Sequence, residues 1–89
     1  MSANNNPLRT VVYPNPTQQV LNLSVNSLTT EKTTMSITDL TGKTVLEKKI
    51  RLVSGDNLLH IDVENLPRGS YIITLISTDG KSVCKFVKL

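Results

Sequence analysis

The sequence predicts an all-β sandwich of about seven short antiparallel strands. Short runs in which apolar and polar residues alternate recur along the chain, and turn-forming residues separate them about every ten residues. No segment has a convincing helical period. Only 3% of the residues are aromatic and there is no Trp, so the core must be built from Leu, Ile and Val. A closed barrel is the alternative, because strand count alone does not reveal closure.

The predicted strands follow from this alternation and from the turn signals between them. In chain order they cover residues 9–13, 20–25, 33–39, 43–52, 58–63, 71–76 and 81–89. In the fifth strand, Leu59, Ile61 and Val63 are expected to face inward. The fourth strand has apolar residues on both parities, which indicates either a bulge, at a position that the pattern does not fix, or a twisted edge. Residues 1–8 are polar and predict a flexible linker, so the domain spans 9–89.

The closing hairpin is the strongest element of the prediction. The strand 71–76 is apolar on both parities, which predicts a central strand covered on both faces. The dipeptide Asp79-Gly80 predicts the tight turn that leads into 81–89. A tyrosine corner is predicted from Leu66, a turn at Gly69 and then Tyr71. In such a corner the tyrosine hydroxyl forms a hydrogen bond with the preceding backbone.

Two further turns have a physical basis in their residue types. The segment Tyr13-Pro14-Asn15-Pro16 predicts a stiff corner after the first strand, because proline fixes φ and lacks an N–H. Asp39 and Gly42 stand first and fourth in a predicted type I turn, where the carboxylate accepts from the turn backbone. Asp39 therefore has a structural role in this interpretation.

Composition argues against several classes of function. The net charge of +3 is spread along the chain without stacking aromatics, which excludes a typical nucleic-acid surface. Cys84 is the single cysteine and is expected to be a buried free thiol, and no cluster predicts a metal site. No apolar run is long enough to span a membrane, and residues 1–6 do not form a signal peptide.

No catalytic constellation is present in the sequence. His60 is the lone histidine and is expected on the outer face of a strand. The acidic residues are scattered and the glycines are isolated in turns, so no phosphate loop or calcium loop is indicated. The sequence predicts a non-enzymatic domain without cofactor or small-molecule substrate.

Four sequence pieces in a fixed order carry a family resemblance. They are Tyr13-Pro14-Asn15-Pro16, Asp39-Leu40-Thr41-Gly42-Lys43, Leu66-x-x-Gly69-x-Tyr71 and Lys85-Phe86-Val87-Lys88. Together they resemble the type A C-terminal sorting domain of the type IX (Por) secretion system, over residues 11–89. The resemblance implies an immunoglobulin-like sandwich of seven strands.

The same resemblance implies a function. Such a domain ends a secreted cargo protein of a Gram-negative bacterium and directs it through the periplasm and outer membrane to the cell surface. The implied partners are the type IX translocon, an outer-membrane shuttle protein and a sortase. Cleavage in the family would fall within residues 1–8 or upstream of them.

The resemblance and the strand pattern together suggest where recognition occurs. If the last strand lies at a sheet edge, its backbone can add to a partner's strand. The candidate recognition residues are Gly69, Tyr71, Lys81, Lys85, Phe86, Val87, Lys88 and Leu89. The lysines alternatively serve edge protection alone. A strand-exchanged homodimer is also expected to be accessible.

A non-catalytic adhesion, carbohydrate-binding or spacer module of the same sandwich class is the alternative function. A carbohydrate-binding module would need an aromatic-rich concave face, and an adhesive module would need acidic calcium loops. Tyr13, Tyr71 and Phe86 are the only aromatic residues, and both tyrosines are interpreted as structural.

Overall fold

A computed structural model describes residues 8–77 and 80–89. These residues form seven strands and contain no helix: β1 (Leu8–Tyr13), β2 (Val20–Ser27), β3 (Glu31–Asp39), β4 (Thr44–Leu52), β5 (Gly55–Asp62), β6 (Gly69–Ser77) and β7 (Gly80–Lys88). The all-β prediction is confirmed. The bounds differ from the predicted ones most at β5, which begins at Gly55 and not at residue 58.

The strands form two antiparallel sheets packed as an immunoglobulin-like sandwich. One sheet has the order β1-β2-β5 and the other has the order β4-β3-β6-β7. The edges are therefore β1 and β5 in the first sheet and β4 and β7 in the second. The last strand is an edge strand, as the sequence analysis supposed, and the two separate sheets exclude the barrel alternative.

Alternating burial along the strands builds the core between the sheets. On β2, Leu21, Leu23 and Val25 are completely buried, because every second side chain of a strand points to the same face. The remaining buried apolar side chains are Met35, Ile37, Leu52, Ile61, Val63, Tyr71, Ile73, Leu75 and Phe86. The rings of Tyr71 and Phe86 stack with their centroids 5.4 Å apart, across neighbouring strands.

The prediction that β6 is covered on both faces is wrong. Tyr71, Ile73 and Leu75 are buried, whereas Ile72 is half-buried and Ile76 is 50% exposed. The strand is central within its sheet, between β3 and β7, but a two-layer sandwich covers each sheet on one face only. The second apolar row of β6 therefore lies on the outer surface.

The bulge predicted in the fourth strand is located at Val45. Ile37 pairs with Leu46 and Thr38 pairs with Thr44, so Val45 is the extra residue. The bulge explains the mixed parity of this segment, because it reverses the side-chain alternation at that point.

Two predicted features lie outside the described residues. Residues 1–7 include most of the predicted linker, and Asp79 belongs to the predicted hairpin turn. The hairpin itself is confirmed, because β6 and β7 pair along their whole length from Gly69 with Lys88 to Ser77 with Gly80.

Candidate recognition surface

All four sequence pieces meet at one end of the sandwich, here called the motif end. In the larger sheet, Asp39 pairs with Tyr71, and Tyr71 pairs with Phe86. The chain that follows β1 crosses to the same place, where Thr17 forms a parallel bridge with Lys88. Segments far apart in the sequence therefore present a single surface.

The described chain begins at the other end of the sandwich. Leu8 pairs with Ser27, and the loop after β2 lies at that end, as do the end of β6 at Ser77 and the start of β7 at Gly80. A strand of nine residues such as β6 separates the two ends by about 26 Å, at about 3.3 Å per residue. The start of β1 at Leu8 thus lies far from the motif end.

The turn after β3 is built around the carboxylate of Asp39. Its Oδ1 accepts hydrogen bonds from the Thr41 hydroxyl at 2.6 Å, the Thr41 amide at 2.9 Å and the Lys43 amide at 3.0 Å. The amide of Gly42 donates to the carbonyl of Asp39 at 3.0 Å, and Gly42 has a φ of 91° that favours glycine. The hydrogen bond from the Thr41 hydroxyl has the largest effect in lowering the pKa of Asp39, and the bond from the Lys43 amide has the next largest. The predicted structural role of Asp39 matches this geometry.

The predicted tyrosine corner is present at the start of β6. The hydroxyl of Tyr71 donates to the carbonyl of Pro67 at 2.5 Å, and the side chain is 4% exposed. The amide of Leu66 donates to the carbonyl of Val63 at 3.0 Å and closes the turn that precedes the corner. The corner fixes the approach of the chain to β6.

A shallow groove of about 370 Å³ separates the Asp39 turn from the tyrosine corner. One wall consists of residues 39–41, Lys43 and Val45, and the other consists of residues 67–71. Leu40 is 64% exposed and Arg68 is also exposed, so an apolar and a basic side chain are available beside the groove. Two of the four sequence pieces thus form one concave surface.

The other two pieces are joined by hydrogen bonds along the edge of β7. The Asn15 side chain accepts from the Val87 amide at 2.9 Å and donates to the Lys85 carbonyl at 3.2 Å. Thr17 donates from its amide to the Val87 carbonyl and accepts from the Leu89 amide, both at 2.9 Å. Asn15 and Thr17 together act as a short strand beside the end of β7, and both peptide bonds into Pro14 and Pro16 are cis.

The local sequence pattern does not predict this edge closure. Tyr13-Pro14-Asn15-Pro16 predicts only a corner, because no local pattern specifies a partner about 70 residues away in the chain. The residue type of Asn15 is the one signal for this pairing, since an amide side chain carries both a donor and an acceptor and can bond to a strand edge.

The predicted recognition residues fall into two groups. Tyr71 and Phe86 are core residues, and Lys88 is 7% exposed with its Nζ donating to the Leu66 carbonyl at 3.2 Å. The exposed members are Gly69, Lys81, Lys85 and Leu89, and Val87 is half-buried. Only this second group presents side chains or backbone at the surface of the folded domain.

Cys84 is half-buried, which corrects the expectation of a fully buried thiol. It lies on the inner side of the edge strand β7, where cover by the other sheet is incomplete, and its Sγ lies 3.5 Å from the Thr10 carbonyl. Partial burial raises the pKa of the thiol. His60 lies on the exposed face of β5, as predicted, with its Nδ1 2.6 Å from the Asn22 Oδ1.

Two other kinds of feature are absent from residues 8–77 and 80–89. No group of three or more His, Cys, Asp or Glu side chains in this part is arranged to hold a metal ion. No helix in the same part is long and apolar enough to cross a membrane.

The fold and the motif end define a small β-sandwich with a composite recognition surface. A family model described as a secretion system C-terminal sorting domain matches residues 11–89. The chain therefore belongs to this family, which comprises the C-terminal sorting signals of type IX secretion. Members direct secretion through the outer membrane to the cell surface or the extracellular space, and the sorting domain itself is non-catalytic.

A curated relative supports the same assignment. The chain is 35% identical over 71 residues to the protein named ulvan lyase NLR42 from Nonlabens ulvanivorans. The match covers 79% of this chain and 12% of that protein. The chain therefore spans only a small part of the length of that relative.

Proposed function

We propose that the type IX translocon and its outer-membrane shuttle protein read this domain at its motif end and along the exposed part of β7. The observation that carries the proposal is the gathering of all four family motifs at the end opposite Leu8. Each motif pairs with another through hydrogen bonds or through the shared groove. Because the four motifs lie together, a receptor can contact all of them on one surface.

The position of Leu8 supports a role as an address carried by a cargo. A cargo joined before Leu8 extends from the opposite end and leaves the motif end clear for a receptor. Residues 1–8 then serve as the linker and 9–89 as the sorting domain. A sortase cleaves in this linker or upstream of it.

The domain acts without catalysis or a cofactor of its own. Asp39 is engaged by Thr41 and Lys43 in a turn, and His60 interacts with Asn22 on an exposed strand. These titratable groups have structural partners and do not face a common cavity. Any enzymatic activity, such as the lyase activity in the name of the curated relative, belongs to the cargo.

Exchange of β7 between two copies is a further part of the proposal. The strand lies at a sheet edge and follows a tight hairpin, so a second copy can supply an equivalent strand. Sedimentation at increasing protein concentration tests it, and a sedimentation coefficient that stays at the monomer value contradicts it.

The experiment is a secretion assay on a reporter fused before residues 7–89 in a host with the type IX system. Leu40→Asp at the motif end is expected to leave the reporter in the periplasm, and Arg68→Glu to have the same effect. Leu28→Asp is the matched control, because Leu28 is 69% exposed at the opposite end. Circular dichroism establishes that each variant folds.

Equal secretion of Leu40→Asp, Arg68→Glu and Leu28→Asp would contradict recognition at the motif end. Removal of residues 85–89 is the positive control, because it deletes core residue Phe86 together with the backbone groups that Asn15 and Thr17 bind. Reporter reaching the medium after that deletion would contradict the role of the domain as the signal.

A further inference from the structure

We propose that the open part of β7, residues 81–85, binds an extended segment of a type IX protein whose side chains alternate acidic, apolar and acidic. The inference rests on the proposed function and names the chemistry of one contact within it. The segment would add a strand to the larger sheet, using backbone hydrogen bonds for affinity and side chains for selectivity.

The backbone of β7 is open over a defined length. The Val87 amide donates outward to Asn15, the Val87 carbonyl accepts from Thr17, and the Leu89 amide donates to Thr17. Alternation therefore directs the main-chain groups of Lys81, Val83 and Lys85 to the same edge. Asn15 already occupies the Lys85 carbonyl. Within the described residues, the outward main-chain groups left for a partner are those of Lys81 and Val83 and the amide of Lys85.

The side chains of the same residues define the pattern of the partner. Lys81, Val83 and Lys85 all point to the outer face of the sheet, and Val83 is 56% exposed. On β6, their cross-strand neighbours are Ile76, Thr74 and Ile72, respectively. A strand laid beside β7 would therefore meet a cation, an apolar contact and a second cation on one face, and opposite charges directly across a strand pair are favourable.

The wider electrostatics of the sheet favour an acidic partner. Among the described residues, the outer face of the four-stranded sheet carries five exposed basic side chains and a single acid, Glu47. The basic residues are Lys32, Lys49, Arg51, Lys81 and Lys85. The outer face of the other sheet carries Arg9 against Asp56 and Asp62. The cationic face would repel the same face of a second copy of the domain. This repulsion argues against a second copy as the strand added beside β7.

The other edge of the same sheet does not offer this pattern. On β4, the outward residues are Glu47, Lys49 and Arg51, so an acid replaces one of the cations and no apolar residue separates them. The bulge at Val45 also interrupts pairing, which is a common way to protect an edge. The β4 edge therefore serves as the internal comparison.

Lysines on an edge strand can also act only as protection against unwanted pairing. The two roles differ in what they predict for an added strand. Protective lysines disfavour every strand, whereas recognition lysines favour a strand with acids at matching positions and disfavour its charge-reversed counterpart.

The test titrates the isotopically labelled domain with the acetylated and amidated peptide Ser-Glu-Thr-Val-Thr-Glu-Ser. Saturable NMR shifts and slowed hydrogen exchange are expected at the amides of Lys81, Val83 and Lys85. The counterpart peptide, with lysine in place of both glutamates, is expected to bind about tenfold more weakly or not at all. Absence of saturation at millimolar peptide, or equal binding of both peptides, would overturn the proposal.

Variants establish the location. Lys81→Glu together with Lys85→Glu is expected to abolish binding of the acidic peptide and to confer binding of the basic one. Lys49→Glu together with Arg51→Glu makes the same charge change on β4 and is expected to reduce affinity less than threefold, because the Debye length at physiological salt is about 8 Å. Equal loss in the two variants would overturn an edge-specific contact.

The secretion assay separates this inference from the proposed function. Retention of the reporter in the Lys81/Lys85 variant, with normal export of the Lys49/Arg51 variant, supports both. Normal export of both charge variants, while Leu40→Asp is retained, overturns the β7 contact in secretion and leaves recognition at the motif end intact.

Discussion

The side chain of Asn15 binds the backbone around Val87 as a neighbouring strand would. Its Oδ1 lies 2.9 Å from the Val87 amide nitrogen, and its Nδ2 lies 3.2 Å from the Lys85 carbonyl oxygen. One amide group thus satisfies a donor and an acceptor of the last strand. Thr17 continues the pairing by two residues.

Replacement of Asn15 by Ala should weaken the end of β7. Each lost hydrogen bond contributes about 0.5–1.5 kcal/mol, and exposure places this pair toward the lower value. We expect a loss of about 1 kcal/mol in the free energy of unfolding, with faster hydrogen exchange at Val87. Gln18→Ala is the control at an exposed site nearby, and equal exchange rates at Val87 in the two variants would contradict the role of Asn15.

Tyr71→Phe should remove the corner hydrogen bond while preserving the ring stack on Phe86. The cost is expected to be about 1 kcal/mol or more, because the Pro67 carbonyl loses its partner. For a domain of this size the melting midpoint should fall by about 4–8 °C. A midpoint equal to that of the wild type would show that the hydroxyl contributes nothing to stability.

The Asp39 turn should make stability depend on acid pH. Hydrogen bonds from Thr41 and Lys43 lower the pKa of Asp39, so the folded state binds its proton less readily than the unfolded state. The contribution is therefore fully present above the unfolded pKa, about 3.8, and is lost as pH falls through the lower folded value. Urea titrations at a series of acid pH values measure it.

Asp39→Asn is the control for that measurement, because asparagine also accepts at this position but does not titrate in this range. The difference in stability between wild type and variant should shrink toward low pH. A difference that stays constant from neutral pH to about pH 2, well below the unfolded pKa, would contradict the assignment.

Thr33→Val should stabilise the domain. Thr33 is 2% exposed on the inner face of β3, and its Oγ1 has no hydrogen-bond partner among the described residues. Valine keeps the branched shape and removes a desolvated hydroxyl, so a gain of about 1 kcal/mol is expected in chemical denaturation. Thr34→Val on the outer face is the comparison, and a larger gain there would show that β-propensity rather than desolvation is responsible.

The fold could be predicted from the sequence because the patterns that specify its strands and turns are local. Alternation placed Leu21, Leu23 and Val25 inward, and the corner at Tyr71 follows from a short motif. The covering of β6 was mispredicted because Ile72 and Ile76 are apolar on a face that the sandwich leaves outside. A strand's own residues do not reveal how many layers surround it.

The candidate surface was harder to predict from the sequence, because it depends on contacts between distant segments. The sequence suggests that Lys88 is an exposed lysine near the end of the last strand. In the structure its side chain is buried and its Nζ donates to the Leu66 carbonyl. Asn15 reads as part of a corner, yet it closes the edge of β7. Neither relationship has a periodic signature, since each depends on how the loops at the motif end meet.

The bonds from Asn15 and Thr17 connect positions about 70 residues apart, and this has a consequence for quality control. The last strand is completed by residues that leave the ribosome early in the synthesis of the domain, so its finished edge exists only after the whole domain has folded. A truncated or unfolded copy would present the same amino acids without that edge. A receptor that reads it would thereby reject incomplete exports before committing the outer-membrane pore to them.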